Sequence, residues 1–237
     1  MDKKWIDEKG IPTDGHFMAF AQIIELDNYR KNRKNSTATK KSKTTQGRLR
    51  GQGHERAPKI ADVDAVRKSL AMAEPTERNL RDRLIMEFFV RTGMRASELV
   101  LLKKSNFQTD IDGEDIIRFY RPKVKSNHVV YFDREDRDFL LDLIDRYHKL
   151  ANVDSDHILF SLTKQKTHLT TRSLQRIVNG WNIRDGRGKI IACHGLRHHV
   201  GSDLSKQGDF ILVSKLLGNS ERIASLYYTN PYAKARK

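Results

Sequence analysis

Apolar residues recur along most of this chain at intervals of three and four, the period of a helix with one buried face. Val63, Val66, Leu70 and Ala73 share a face between Val63 and Ala73, and Leu84, Ile85, Phe88 and Phe89 do so between Leu80 and Val90. Two helices are therefore expected before Gly93, and Ala96 to Leu102 reads as a short third. Phe139, Leu140, Leu143, Ile144 and Tyr147 fall on one side of a helix over Arg134 to Leu150. Its alternating Asp and Arg residues read as a solvated outer face. Helices are also expected over Thr171 to Trp181, Leu196 to Ser205, Phe210 to Leu217 and Glu221 to Tyr228. The exceptions are Ile116 to Tyr120 and His128 to Phe132, runs rich in β-branched and aromatic residues parted by a polar turn, which predict an antiparallel hairpin. The pattern implies a mainly α fold with one small antiparallel β-sheet, an α+β architecture.

The first quarter of the chain is different. Phe17, Phe20, Ala21, Ile24 and Leu26 fall close to helical spacing and predict one short amphipathic helix, with Thr13 and Asp14 available as caps. From Asn28 to Ala57 there are ten Lys or Arg against one acid, Glu55, among many Ser, Thr, Gly, Asn and Gln. Such a segment is a linker or a basic arm, able to order along a phosphate backbone, where Lys41 and Arg48 are candidate contacts, or else a solvated tether. Regular patterning resumes at Pro58, so the chain divides into an arm over 1–57 and a domain over 58–237. With 237 residues, 38% of them hydrophobic, one core of useful size can be buried.

Charge then narrows the partners. Forty-five Lys and Arg against 30 Asp and Glu give a formal charge of +15, which favours a polyanion, nucleic acid first, over a merely soluble basic surface. A single cysteine, Cys193, excludes an intrachain disulfide and a Cys-based zinc site. No run of 18 apolar residues occurs and the first residues lack an apolar signal core, so a soluble, cytoplasmic, DNA-associated protein with no membrane contact is expected.

Four short motifs carry the chemistry. Thr92-Gly93-Met94-Arg95-Ala96-Ser97-Glu98-Leu99 places an arginine after a glycine turn, with Glu98 spaced to ion-pair in its neighbourhood. Cys193-His194-Gly195-Leu196-Arg197 sets an imidazole and a second guanidinium three residues apart at a helix start. Leu216-Leu217-Gly218-Asn219-Ser220 and Tyr227-Tyr228 follow. Two guanidiniums suit the redistributed charge of a phosphodiester transition state, because each is a planar fork of donors that stays ionised. A histidine can move the proton of a tyrosine hydroxyl, which supplies a nucleophile.

In this order and spacing the motifs resemble those of the tyrosine recombinase family, the phage-integrase type, over about residues 58–230. Arg95 matches the family's first arginine, with Met94 in place of leucine. His194 to His198 matches the His-x-Leu-Arg-His box, and Tyr228, ten residues after Gly218, matches the nucleophile, leaving Tyr227 to pack. Asn219 stands where the family usually has histidine; it can donate a hydrogen bond to a phosphate but does not titrate near neutrality. The resemblance implies a tyrosine-recombinase-like catalytic domain in which Tyr228 forms a 3′-phosphotyrosyl link and releases a 5′-hydroxyl. Arg95 and Arg197 would hold the phosphate, with Asn219 beside them, and His194 would assist the tyrosine proton. A lysine of the hairpin turn, Lys125 or alternatively Lys123, would protonate the leaving oxygen. It further implies duplex DNA with inverted half-sites as substrate, a dimer on each site, a tetramer in synapsis, and no cofactor or metal. Relatives commonly carry a larger N-terminal DNA-binding domain than the 57 residues preceding the match.

Other residues have plainer readings. His198, His199 and Cys193 flank the second box and are expected to pack rather than bind metal. Arg172 and Arg176 either touch DNA or are ordinary surface charge. Two rival functions share most of these residues: a non-cleaving DNA-binding accessory relative, and a type IB topoisomerase.

Overall fold

The computed structural model describes residues 56–121, 125–163, 165–206 and 210–218. The expected helices over 17–26 and 221–228, and all but the end of the basic arm, lie outside the described residues. Helix α1 spans Ile60–Met72, α2 Glu77–Thr92 and the single turn α3 Ala96–Leu99. Strands β1 (Phe107–Thr109), β2 (Asp115–Arg121) and β3 (Ser126–Phe132) follow, then α4 (Arg134–Ala151), α5 (Thr171–Gly180), α6 (Cys193–Lys206) and α7 (Phe210–Leu217).

Helix α2 is the centre of the domain. Thr76 caps its start, the side-chain oxygen accepting from the Asn79 N–H at 3.2 Å, and Gly93 ends it in the left-handed region at φ 58°. Between these signals almost every residue is buried, including Arg81, Asp82, Arg83 and Glu87, because α1, α4 and α6 all pack against it. A helix enclosed on several sides cannot be amphipathic, and its charged residues must find partners inside. Glu87 accepts from Arg67 of α1 at 2.8 and 2.7 Å and from Arg91 at 3.1 Å, while Arg91 also pairs with Asp136 of α4. Phe139 lies under the guanidiniums of Arg83 and Arg91. The charged face of α4 is thus only partly solvated, a correction to the expected outer face: α2 recruits Asp136 from it.

The sheet has the order β1-β2-β3, antiparallel throughout, with Arg121 opposite Ser126 at the turn end of the hairpin and Asp115 opposite Phe132 at the open end. Alternation puts Ile117, Phe119, Arg121, Val130 and Phe132 on the buried face and Arg118, Tyr120 and Tyr131 on the exposed one. β1 was not expected from the pattern; three residues cannot display an alternation, and the strand exists through its pairing with Ile117, Ile116 and Asp115. The third expected helix stops at Leu99, three residues short, where the chain turns to pair Lys103 with His157.

One apolar core joins α1, α2, the sheet, α4, α5 and the start of α6. A second, smaller cluster of Val200, Leu204, Leu212, Val213 and Leu217 docks α7 onto α6. No helix among the described residues is long and apolar enough to cross a membrane.

Candidate active site

Two helix ends meet where the motif residues lie. The chain leaves α2 through Gly93, and α7 ends at Leu217 and Gly218. A Cβ on Gly93 would fall 2.4 Å from the Leu217 side chain, and the backbone there already has a positive φ, so both contact and conformation require glycine. Gly218 is likewise left-handed, at φ 55°, and a Cβ on it would sit 1.5 Å from the Arg121 guanidinium. These two glycines let the helix ends, and the arginines around them, approach closely.

Arg95 begins α3 and is held by Glu98, one turn on. The carboxylate accepts the Arg95 backbone N–H at 2.8 Å and its guanidinium at 2.7 Å. Burial pushes the Glu98 carboxyl upward, but the Arg95 N–H and the Arg121 charge outweigh it and hold the group below the ordinary carboxylate range. Glu98 is 3% exposed, whereas the Arg95 side chain retains 24% exposure. The anchor is interior and the cation stands at the surface. The spacing of Arg95 and Glu98 had suggested such a pair, and the structure forms it.

Arg197, on the first turns of α6, is 2% exposed. It donates to the carbonyl of Gly93 at 2.5 Å and to that of Leu217. It therefore ties the end of α2 to the end of α7, and a cation at both helix C-termini is favoured by their dipoles. His194 lies three residues earlier and is exposed, its ring set edge-on to His198 at 4.5 Å. Spacing had put His194 and Arg197 on one side of the helix; the structure exposes the first and buries the second. His198 and His199 are 3% and 6% exposed and Cys193 4%, packing positions as expected. Burial, with nearby His194 and several arginines, drives His198 down to about 3, and burial pushes the Cys193 thiol up to about 12, so neither carries charge near neutrality. Among the described residues no three His, Cys, Asp or Glu side chains gather as a metal site.

Lys125 is exposed at the start of β3 and adopts φ 51°, in the turn of the hairpin. Arg172 and Arg176 project to solvent from α5, four residues apart on one side of a helix that packs against α3 and α6. Lys123, Asn219, Tyr227, Tyr228, Lys41 and Arg48 lie outside the described residues.

Two residues of the site were missed by sequence reasoning. Arg121, 3% exposed at the end of β2, contacts Glu98 at 3.1 Å and donates to the Leu217 carbonyl at 3.3 Å. The Glu98 contact is ionic, since the Nε–H is not aligned on the oxygen. His128 of β3 bonds the Leu216 carbonyl at 3.1 Å. Burial, then the charge of Arg121, lowers His128 to about 4, so it donates there as a neutral ring. A signal for both existed in the alternation of the strands: Ile117, Phe119 and Arg121 share the inward face, and His128 stands opposite Phe119.

Comparison with known proteins bears on the family and the fold. The model of the phage integrase family matches residues 60–235. Tyrosine recombinase XerC of Chlamydia trachomatis is 27% identical over 158 residues, 66% of this chain and 49% of that protein. The chain thus spans about half the length of the curated relatives it matches. Among solved structures, a XerH site-specific recombinase bound to its difH substrate, in a pre-cleavage complex, superposes with a TM-score of 0.59 at 22% identity. That match covers 76% of this chain and 52% of the other. A dimer of lambda integrase residues 75–356 bound to a COC′ core site gives a TM-score of 0.51 at 20% identity, over 83% of this chain and 64% of that one. These likenesses are of fold: mostly helical, with a small three-stranded antiparallel sheet.

Proposed function

The chain belongs to the phage integrase family, and on that premise we propose that it cleaves and rejoins duplex DNA as a site-specific recombinase of the tyrosine type. The observation that carries this reading is the junction at which Arg197 ties the end of α2, just before Arg95, to the end of α7. Arg197 bonds the carbonyls of Gly93 and Leu217, Arg95 stands two residues beyond Gly93, and Tyr228 follows Leu217 by eleven residues of chain. A junction that holds Arg197, lies two residues from Arg95 and precedes the segment bearing the phenol supports this reading.

The steps follow from the groups. The Tyr228 oxygen attacks the scissile phosphorus as His194 accepts its proton, and the phosphate charge is met by Arg95 and Arg197, with Asn219 donating a hydrogen bond. The P–O5′ bond breaks, and Lys125, or Lys123, gives a proton to the departing 5′-oxygen. A 3′-phosphotyrosyl link and a free 5′-hydroxyl remain, and attack by the hydroxyl of a partner strand reverses the sequence. Bond energy is kept in the covalent link, so the steps written require no nucleotide. The formal charge of +15 supports a DNA substrate. Residues 58–237 are the catalytic unit and 1–57 a basic arm along the backbone, to which Lys41 and Arg48 belong, while exposed Arg172 and Arg176 add contacts from α5. Symmetric exchange calls for inverted half-sites, a dimer on each and a tetramer in synapsis, in a cytoplasmic, DNA-associated setting.

The test incubates the protein with a pool of nicked duplexes of random sequence, so that the short fragment bearing the new 5′-hydroxyl diffuses away and traps the covalent state. A denaturant-resistant adduct mapped to Tyr228, absent in Tyr228→Phe at nearly unchanged DNA affinity, is expected. Tight binding without any adduct would favour a non-cleaving accessory role. Adduct formation and plasmid relaxation without sequence preference would favour a topoisomerase.

A further inference from the structure

We propose that Arg121 is a positioning residue for this reaction, coupling both phosphate-binding arginines and the end of α7 through one buried guanidinium. The inference rests on the recombinase reading above and adds to it a residue outside the motifs. Glu98 Oε1 is shared by Arg95, at 2.7 Å, and Arg121, at 3.1 Å, and the Leu217 carbonyl is shared by Arg121, at 3.3 Å, and Arg197. The result is a continuous polar chain from Arg95 through Glu98, Arg121 and Leu217 to Arg197. Arg121 is its middle link. Gly218 lies flush against the same guanidinium, leaving no room for a side chain. His128, from the neighbouring strand, takes the adjacent Leu216 carbonyl at 3.1 Å. The hairpin whose turn carries Lys125 is thereby fastened to the helix that leads to Tyr228.

Burying a charged arginine at 3% exposure costs free energy that apolar packing would not. Burial, and the nearby Arg95, lower Arg121 to about 10, against the pull of Glu98, so it remains a cation at neutral pH. A lysine could keep the pair with Glu98 but, lacking the planar fork, could not hold both acceptors at once. Removing the charge would free Glu98 to shift and Arg95 with it, and misplacement of a reacting group by about 1 Å costs on the order of 100-fold in rate.

The experiment compares wild type, Arg121→Gln and Arg121→Lys in the full chain, using the nicked duplex selected with wild type. Single-turnover adduct formation is followed across pH, alongside DNA affinity and thermal midpoint. Arg121→Gln should slow adduct formation about 100-fold while affinity stays within about threefold, a change under 1 kcal/mol. Arg121→Lys should recover a large part of the rate. Without the Arg121 charge the Glu98 carboxyl rises, so the acid limb of the rate profile should move to higher pH in Arg121→Gln; a purely structural role would not shift it. A folded Arg121→Gln protein with wild-type rate and acid limb overturns the proposal. So does a loss in both variants that tracks thermal midpoint alone. Absence of adduct with wild type overturns instead the recombinase reading on which the proposal stands.

Discussion

Replacing Glu87 by glutamine tests whether the buried charges of α2 hold the domain together as their geometry implies. The carboxylate is 1% exposed and receives three hydrogen bonds, two from Arg67 and one from Arg91. Burial alone would raise its pKa, yet Arg67 and Arg91 hold it at about 2, against an ordinary 4.5. At about 1.4 kcal/mol for each pH unit of depression, ionisation of this group contributes about 3 kcal/mol to stability at pH 7. Glutamine keeps the shape but presents an amide donor to two partly buried guanidiniums. Breaking a buried pair from one side costs about 3–5 kcal/mol, or about 6–20 °C in Tm at 2–4 °C per kcal/mol for a domain of this size. The sign of the pH dependence follows from the depressed value: the stabilisation is complete above the unfolded pKa and is lost as pH falls through about 4.5 toward about 2. Urea unfolding of wild type and Glu87→Gln at pH 7 and pH 3 is the assay. The gap between them should be about 2 kcal/mol narrower at pH 3. A gap below 1 kcal/mol at pH 7, or one independent of pH, refutes the reasoning.

Other expectations concern the site. Gly93→Ala forces a side chain into a left-handed position and against Leu217, and should cost about 2 kcal/mol or more in urea unfolding; a neutral effect would mean that α7 moves away freely. Asn219→His should preserve or raise the rate of adduct formation on nicked DNA if that position meets phosphate, while a large loss would give asparagine a role of its own. A duplex whose scissile 5′-oxygen is replaced by sulfur has a leaving group that needs no proton, so it should rescue cleavage in whichever of Lys125→Ala and Lys123→Ala has lost the general acid; rescue in neither removes both lysines from that role. Deleting residues 1–57 should weaken DNA binding and flatten its salt dependence, each lost phosphate contact changing the log–log slope by roughly 0.9; an unchanged slope makes the arm an inert tether.

Much of the fold was legible because amphipathic helices and a paired hairpin write their burial into the sequence. α4 is the clearest case, with Leu140, Leu143, Ile144 and Tyr147 all buried at helical spacing. What periodicity misses is an element whose environment is not one-sided. α2 is enclosed, so its charged residues read as surface while in fact they cross-link three helices. β1 is too short to show a period and depends on a partner strand for its existence. Ends were displaced for a related reason. Leu196 suggested the start of α6 by its apolar pattern, but the helix begins at Cys193, so the His-x-x-Arg pair is helical from its first residue.

The site was legible in a different way, and the difference bears on where function in this domain is stored. Arg95, His194 and Arg197 can be recognised as motif residues, but recognition supplies neither burial nor contact. Arg197 is buried against backbone carbonyls, so part of its work is to join two helix ends. Arg95 depends on Glu98, and Glu98 on Arg121, a residue no motif contains. On the proposed reading Arg95 and Arg197 bind phosphate, and such a pair must be held closely if its charges are to match a transition state, which arginines with many rotatable bonds do not achieve by themselves. Sharing Glu98 Oε1 and the Leu217 carbonyl between neighbouring guanidiniums removes that freedom, at the cost of burying like charges close together. Arrangements of this kind leave only a faint trace in sequence, here an arginine on the inward face of a strand.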